Sequence, residues 1–182
     1  MPQNYRNMKK NLLILFVLFS ISVFSQNFLE YNYTVNKEGL KKKKITELAV
    51  KWLEAHHCTL KEQKSDTLFA IGKLPFTNKV VYKGSKTYDR FYREQTNGNI
   101  LYNVSIIIKK GAFDVKLTHF LHKPSRKFDS LSFGIITKET NGPKNIAQDT
   151  GEEYCNQVWS SMKSLIEKSI MPSEDGNDFS SL

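Results

Sequence analysis

Apolar and polar residues alternate along this chain with two different periods, and each change of period marks a new predicted element. Residues 28–35 alternate with a period of two, which is typical of a half-buried strand. Apolar residues then recur every three or four positions, and this spacing predicts an amphipathic helix over residues 42–57. Its apolar stripe consists of Ile45, Leu48, Ala49, Trp52, Leu53 and His56.

The period of two returns after this helix. Residues 58–63 and 67–74 are predicted to form a hairpin, because Ser65 and Asp66 between them favour a tight turn. The clearest sheet signal is a second hairpin around Lys109-Lys110-Gly111. The predicted face of its first strand carries Ile100, Tyr102, Val104, Ile106 and Ile108, and that of its second strand carries Phe113, Val115, Leu117, His119 and Leu121.

A second amphipathic helix is predicted over residues 150–170, before Pro172. Its stripe consists of Tyr154, Val158, Met162, Leu165, Ile166 and Ile170. The order β-α-β(n)-α is typical of an α+β domain in which two amphipathic helices cover one face of a two-layer antiparallel sheet. We expect the opposite face of that sheet to be free for a ligand or a partner.

The longest predominantly apolar stretch covers residues 12–24, shortly after Lys9 and Lys10. A basic start, a short apolar core and a small residue at its end are typical of a secretory signal peptide, cleaved here between Ser25 and Gln26. A membrane anchor is the alternative, but a spanning helix needs about 20 apolar residues. A lipoprotein would need a cysteine where Gln26 stands, so we expect no stable membrane span after cleavage.

Export divides the chain into three parts. Residues 1–25 are predicted to be the signal peptide, residues 26–172 a single α+β domain, and residues 173–182 a disordered acidic tail. The expected location is the periplasm or the exterior of the cell. Without the basic residues of the signal peptide, the net charge falls from +9 to +6, with 24 basic and 18 acidic residues.

Two segments concentrate the basic residues. The first is the run Lys41, Lys42, Lys43 and Lys44, for which a bound anion or simple exposure to solvent are the two interpretations. The second is a basic-aromatic segment, residues 79–93, which contains Tyr82, Lys83, Lys86, Tyr88, Arg90, Tyr92 and Arg93. Such interleaving occurs in proteins that bind single-stranded nucleic acid. Because the protein is predicted to be exported, we favour a twisted edge hairpin here, with lysines protecting the edge, and do not expect nucleic acid as the partner.

Few residues are suited to chemistry. Cys58 and Cys155 could form a disulfide in an oxidising compartment, and buried free thiols are the alternative. His56, His57 and Cys58 are consecutive, and helical neighbours point about 100° apart, so we expect no metal site there. One hypothesis for an enzyme is a hydrolase whose site is assembled from dispersed residues near His119 and His122. The sequence contains neither a Gly-x-Ser-x-Gly turn nor a Gly-rich phosphate loop, so we expect no enzyme and no cofactor.

Four local features resemble a family of exported bacterial proteins of unknown function that has a TATA-binding-protein-like (TBP-like) fold. They are Phe24-Ser25-Gln26, Ala49-Val50-Lys51-Trp52-Leu53, the hairpin over residues 102–113, and the closing helix around Trp159. The resemblance spans roughly residues 28–170. It implies the strand-helix-strands-helix topology and no catalytic residue, and the basic-aromatic segment and the two cysteines depart from the family's pattern.

These patterns together favour an exported, non-enzymatic binding module. The expected partner is an envelope protein, a peptide or a glycan, bound by the open sheet face or by residues 76–98. The alternative is a protein that binds a polyanion through the lysine run and the basic-aromatic segment, and its affinity would fall steeply with salt.

Overall fold

The protein is described by a computed structural model that covers residues 28–126, 130–139 and 151–170. The predicted signal peptide and the predicted acidic tail lie outside the described residues, as do residues 140–150. These ranges contain β1 (Tyr31–Asn36), α1 (Lys42–Ala55), β2 (Thr59–Lys64), β3 (Thr67–Phe76), α2 (Lys86–Thr96), β4 (Gly98–Lys109), β5 (Ala112–Pro124), β6 (Gly134–Ile135) and α3 (Glu152–Ile170).

The six strands form one antiparallel sheet in the order β1-β5-β4-β3-β2, and β6 pairs with β5 beside β1. Long antiparallel pairings dominate it, since β4 pairs with β3 on one side and with β5 on the other. The α+β class, both predicted hairpins and both predicted helices are confirmed.

The core lies between one face of the sheet and the helices. From the helices it receives Ile45, Leu48, Ala49, Trp52 and Leu53 of α1 and Tyr154, Cys155, Val158, Met162, Ile166 and Ile170 of α3. The predicted stripes are therefore the buried faces, with Leu165 of α3 only half-buried. His56 is only half-buried and stacks on Trp52, with ring centroids 4.0 Å apart.

Strand β5 changes face at a β-bulge. His119 has a positive φ of 56°, and the register of β5 against β4 shifts between Leu101 and Asn103. Because successive side chains of a strand point to opposite faces, one extra residue moves every later side chain to the other face of the sheet. Phe120 is buried and Leu121 is exposed. The predicted face of this strand is correct as far as Leu117 and wrong for His119 and Leu121.

Part of the basic-aromatic segment is helical, so the predicted edge hairpin is wrong. The hydroxyl of Ser85 accepts a hydrogen bond from the amide of Thr87 at the start of α2. Within α2, Asp89 pairs with Arg93 and Arg90 with Glu94, both at a spacing of four residues. An N-cap and such pairs favour a helix. The described residues therefore contain a third helix, which was not predicted.

Buried polar groups attach α2 to the rest of the fold. The side-chain amide of Asn78 donates to the Thr96 hydroxyl at 2.6 Å and to the Tyr154 hydroxyl at 2.9 Å. His122 Nε2 donates to the carbonyl of Thr96 at 2.9 Å. These bonds link α2 to α3 and to the inner face of β5.

No disulfide joins Cys58 and Cys155, so of the two interpretations of this pair the structure shows the reduced thiols. Cys58 follows α1, and its Sγ lies 3.5 Å from the hydroxyl of Tyr102, midway along β4. Cys155 is buried in the first turn of α3, next to Tyr154, which contacts Asn78 beyond the end of β3. The two thiols therefore belong to different parts of the core.

Candidate functional site

The face of the sheet opposite the helices, called here the open face, exposes large apolar side chains. It is formed by alternate residues of β3, β4 and β5 and by their neighbours on the other strands. Five of its apolar side chains are 39–45% exposed: Phe69, Ile71, Ile107, Leu121 and Ile135.

Three of the apolar side chains form a row across the strands. Leu101 of β4 is the register partner of Leu121 of β5, which in turn is the partner of Ile135 of β6. Side chains of such partners are about 5 Å apart, so the row is continuous. Leu121 reaches this face only because of the bulge at His119. We call these three residues the apolar row.

A shallow depression lies beside the apolar row, with an empty volume of about 870 Å³. Phe69 and Ile71 line it together with the polar side chains of Asn103, Ser105, Lys116, Thr118 and His119. The ring of His119 stacks on Phe28 at 5.9 Å, and its Nδ1 lies 3.0 Å from the hydroxyl of Thr118. The open face thus combines an apolar floor with hydrogen-bonding groups.

The carboxylates of the open face are already paired with lysines. Glu30 lies 2.8 Å from Lys116, and Glu62 lies 2.8 Å from Lys64. Asp114 pairs with Lys109. The hydrogen bond from the lysine lowers the pKa of Glu30 and that of Asp114.

Three other lysines of the open face are not paired with a carboxylate of the described residues. Lys73 is the register partner of Leu101, Lys123 follows Leu121 by two positions, and Lys61 lines the depression. Among the described residues, no carboxylate lies within 4.0 Å of these three amines. The open face is therefore apolar at its centre with a positive border.

The basic-aromatic segment is largely occupied with internal contacts. Tyr82 packs edge-on against Tyr92 at 5.0 Å and against Tyr154 at 5.6 Å. Of the predicted binding cations, Lys83 pairs with Glu153, and Arg90 and Arg93 pair within α2. Lys86 begins the helix. The exposed apolar side chains that remain here are Val81, Tyr88 and Phe91, which we call the α2 patch.

The lysine run opens α1 without any acidic residue in the first turn. Lys42 pairs with Asp66 at 2.5 Å and Lys44 with Glu47 at 2.9 Å, while Lys41 and Lys43 are exposed. Lys41 lies beside the β4–β5 turn, whereas α2 leads into the start of β4. The two basic segments therefore lie near opposite ends of β4, whose twelve residues span up to about 36 Å. The structure does not bring the two basic segments together.

The histidines proposed for a hydrolase lie on opposite faces of β5. His119 is exposed on the open face, whereas His122 is buried and both of its ring nitrogens bond to the backbone. They do not form a catalytic pair. In the described ranges, no three His, Cys, Asp or Glu side chains are grouped so that they could hold a metal ion. No described helix is both long and apolar enough for a membrane span.

The open-face residues were not among the predicted site residues, although the sequence contains a signal for them. Leu68-Phe69-Ala70-Ile71 and Ile106-Ile107-Ile108 are continuous apolar runs within predicted strands. A strand with only one buried face alternates, so a continuous run indicates that both faces are apolar. No comparable signal indicates Leu121, because its orientation depends on the bulge.

No family model matches the chain, and no curated protein does. Among solved structures, the chain is similar to a TBP-like protein from Parabacteroides distasonis ATCC 8503, with 13% identity and a TM-score of 0.47 over 79% of this chain and 90% of that chain. It is also similar to a DUF4468 family protein from Bacteroides ovatus ATCC 8483, with 12% identity and a TM-score of 0.36 over 81% and 91%. The first of these proteins is named for the TBP-like fold that the sequence resembles, and the second only for its DUF4468 family. The α+β fold itself is established by the sheet and helices described above.

Proposed function

We propose that this protein is an exported, non-enzymatic interaction module that binds a protein or peptide through the open face of its sheet. One observation carries the proposal, namely the five large apolar side chains that are each 39–45% exposed on that face. Side chains exposed to this extent add up to roughly a few hundred Å², about the size of the largest apolar patch on a typical monomeric protein, and that patch is often functional.

The open face is a better candidate than the α2 patch because its geometry is rigid and its apolar residues are adjacent. Leu101 and Leu121 of the apolar row lie on β4 and β5, which have strand partners on both sides at these positions, and Ile135 is held by the pairing of β6 with β5. In the α2 patch, Tyr88 already stacks on Tyr92, with centroids 6.1 Å apart. The α2 patch also exposes three large apolar side chains where the open face exposes five, and its neighbours Lys83, Arg90 and Arg93 are already in ion pairs.

A polypeptide fits the apolar row better than a glycan does, although the depression beside the row offers hydrogen-bonding groups to either. The apolar row consists of Leu101, Leu121 and Ile135, whose side chains neither donate nor accept hydrogen bonds. A sugar needs a hydrogen-bonding partner for most of its hydroxyl groups, whereas apolar side chains of a polypeptide bury directly against such a row.

The proposal is tested by selecting binders from a phage-displayed library of random 18-residue peptides on the immobilised protein. Affinities of the selected peptides are then measured for the wild type, for L121S/I135S on the open face, and for Y88S/F91S as a matched control. Both double variants remove two comparably exposed apolar side chains, and unchanged circular dichroism confirms that they fold.

We expect L121S/I135S to weaken binding by about tenfold or more, because about 1.4 kcal/mol of apolar contact corresponds to that factor. Y88S/F91S should leave the affinity unchanged. The opposite pattern would assign binding to the α2 patch, and unchanged affinity in both variants would remove the open face as the binding surface.

A further inference from the structure

The open face restricts the backbone conformation of whatever binds there. Strand β4, in the middle of this face, is paired with β3 on one side and β5 on the other, and the amide and carbonyl groups of a sheet point within its plane toward the neighbouring strands. The face therefore offers side chains but no free backbone groups. An extended segment laid on it would leave its own amides without protein partners, whereas a helix satisfies them internally.

The composition of the face restricts the partner's side chains. Burial of Leu101, Leu121, Ile135 and Ile71 requires an apolar stripe on the partner. An amphipathic helix carries such a stripe on one side. The inner face of this same sheet is already covered by helices of that type, since α1 and α3 bury single stripes against it.

The lysines of the open face that lack a carboxylate partner determine which charge the partner should carry beside its apolar stripe. Glu30, Glu62 and Asp114 are each neutralised by a lysine within the face. Lys61, Lys73 and Lys123 border the apolar residues and have no carboxylate within 4.0 Å among the residues that the structure describes. Acidic side chains beside the partner's apolar stripe would meet these amines, while basic ones would be repelled.

We infer that the partner of the open face is an acidic amphipathic helix, whose apolar stripe covers the apolar row and whose carboxylates face Lys61, Lys73 and Lys123. This inference rests on the proposed function and specifies the chemistry of the ligand. The docked helix would form a third layer over the sheet, with ion pairs at its border acting mainly on specificity and on the association rate.

The test uses two synthetic 18-residue peptides that share the same leucine stripe. In one peptide every position that flanks the stripe is a glutamate, and in the other each of these positions is a lysine. Binding to the full-length protein is followed by fluorescence anisotropy in low and high salt. The variant is K73E/K123E, and the control is K41E/K43E, which reverses two exposed lysines at the opposite end of the sheet and has the same net charge.

We expect the acidic peptide to bind the wild type about tenfold or more tighter than the basic peptide does. Its affinity for K41E/K43E should equal that for the wild type, and its affinity for K73E/K123E should be about tenfold lower. Equal affinity for both peptides, a preference for the basic one, or equal losses in both variants would overturn the inference. Dimerisation of the protein that is abolished by L121S/I135S would also overturn it, because a second copy would then be the occupant.

The outcomes also separate this inference from the proposed function. If the library peptides lose affinity for L121S/I135S but are neither acidic nor helical, the inference fails and the proposed function stands. If their affinities do not respond to L121S/I135S, both fail.

Discussion

His119 and His122 lie three residues apart on β5 and show how burial decides what a side chain can do. His122 is buried on the inner face, where its Nε2 donates to the carbonyl of Thr96 and its Nδ1 accepts a hydrogen bond from the amide of Phe133 at 3.1 Å. Only the neutral imidazole with its proton on Nε2 can make both bonds. His122 is therefore a structural residue, whereas His119 is available to a ligand on the open face.

The neutral state of His122 predicts that stability depends on pH. Burial lowers the pKa of His122 below its ordinary value of 6.5. The unfolded chain then binds this proton more readily than the folded protein does, so the free energy of unfolding is greatest above pH 6.5 and falls as the pH drops from there toward the lower folded pKa. Urea unfolding at several values between pH 7.5 and about 5.5 measures this decrease.

The variant H122Q identifies the source of that decrease. The acidic residues with lowered pKa, such as Glu30 and Glu94, have ordinary values of 4.5, so their contribution changes mainly at lower pH. We expect H122Q to be less stable by about 1–3 kcal/mol at pH 7.5 and to have a flat pH profile in this window. An equal slope in the wild type and H122Q would contradict the assignment.

Strands β3 and β4 depend on one close approach between a glycine and an aromatic ring. Tyr102 lies directly over its register partner Gly72, and a Cβ added at Gly72 would be 2.0 Å from Cζ of that ring. The ring cannot move freely, because it stacks on Phe120 at 5.4 Å. Gly72 is therefore required by packing.

We expect Gly72→Ala to destabilise the protein by about 1–3 kcal/mol, as overpacking of a core does. In a Tyr102→Leu background the same substitution should cost less, because the smaller side chain leaves room for the methyl group. Urea unfolding of the two single variants and the double variant measures this coupling. Equal costs in both backgrounds would show that the ring is not the obstacle.

Elements with a clear period were predictable from the sequence, and those that depend on a local exception were not. The stripe from Ile45 to Leu53 and the alternation of β4 are repeated over many residues, so single deviations do not hide them. The bulge at His119 is a single inserted residue, and no change of composition marks it. Helix α2 contains several aromatic residues, which favour strands. In the sequence this signal outweighed the two features that favour a helix, namely the cap at Ser85 and the ion pairs at a spacing of four residues.

The candidate site was less predictable than the fold for the same reason. The open face could be expected from two helices that cover one side of a sheet, but its apolar row exists because the bulge turns Leu121 outward. The lysine run and the basic-aromatic segment are conspicuous in the sequence, yet ion pairs occupy much of their charge and β4 separates them.

At the scale of the whole molecule, the predicted export defines the environment in which the open face acts. When the protein is expressed in a bacterial host, the exported form should begin at Gln26, because residues 8–25 have the pattern of a signal peptide. N-terminal sequencing of the periplasmic and secreted fractions tests this. An exported form that retains residues 12–24 would contradict cleavage and indicate an anchor instead.

The most direct test of the open face as the binding surface is methyl NMR of the isoleucine and leucine side chains, titrated with a peptide selected on the protein. The account predicts that the signals of Ile71, Leu101, Leu121 and Ile135 shift, while those of the buried residues Ile45 and Ile106 stay in place. Unchanged signals from the open face, together with shifts in the aromatic signals of Tyr88 and Phe91, would contradict it.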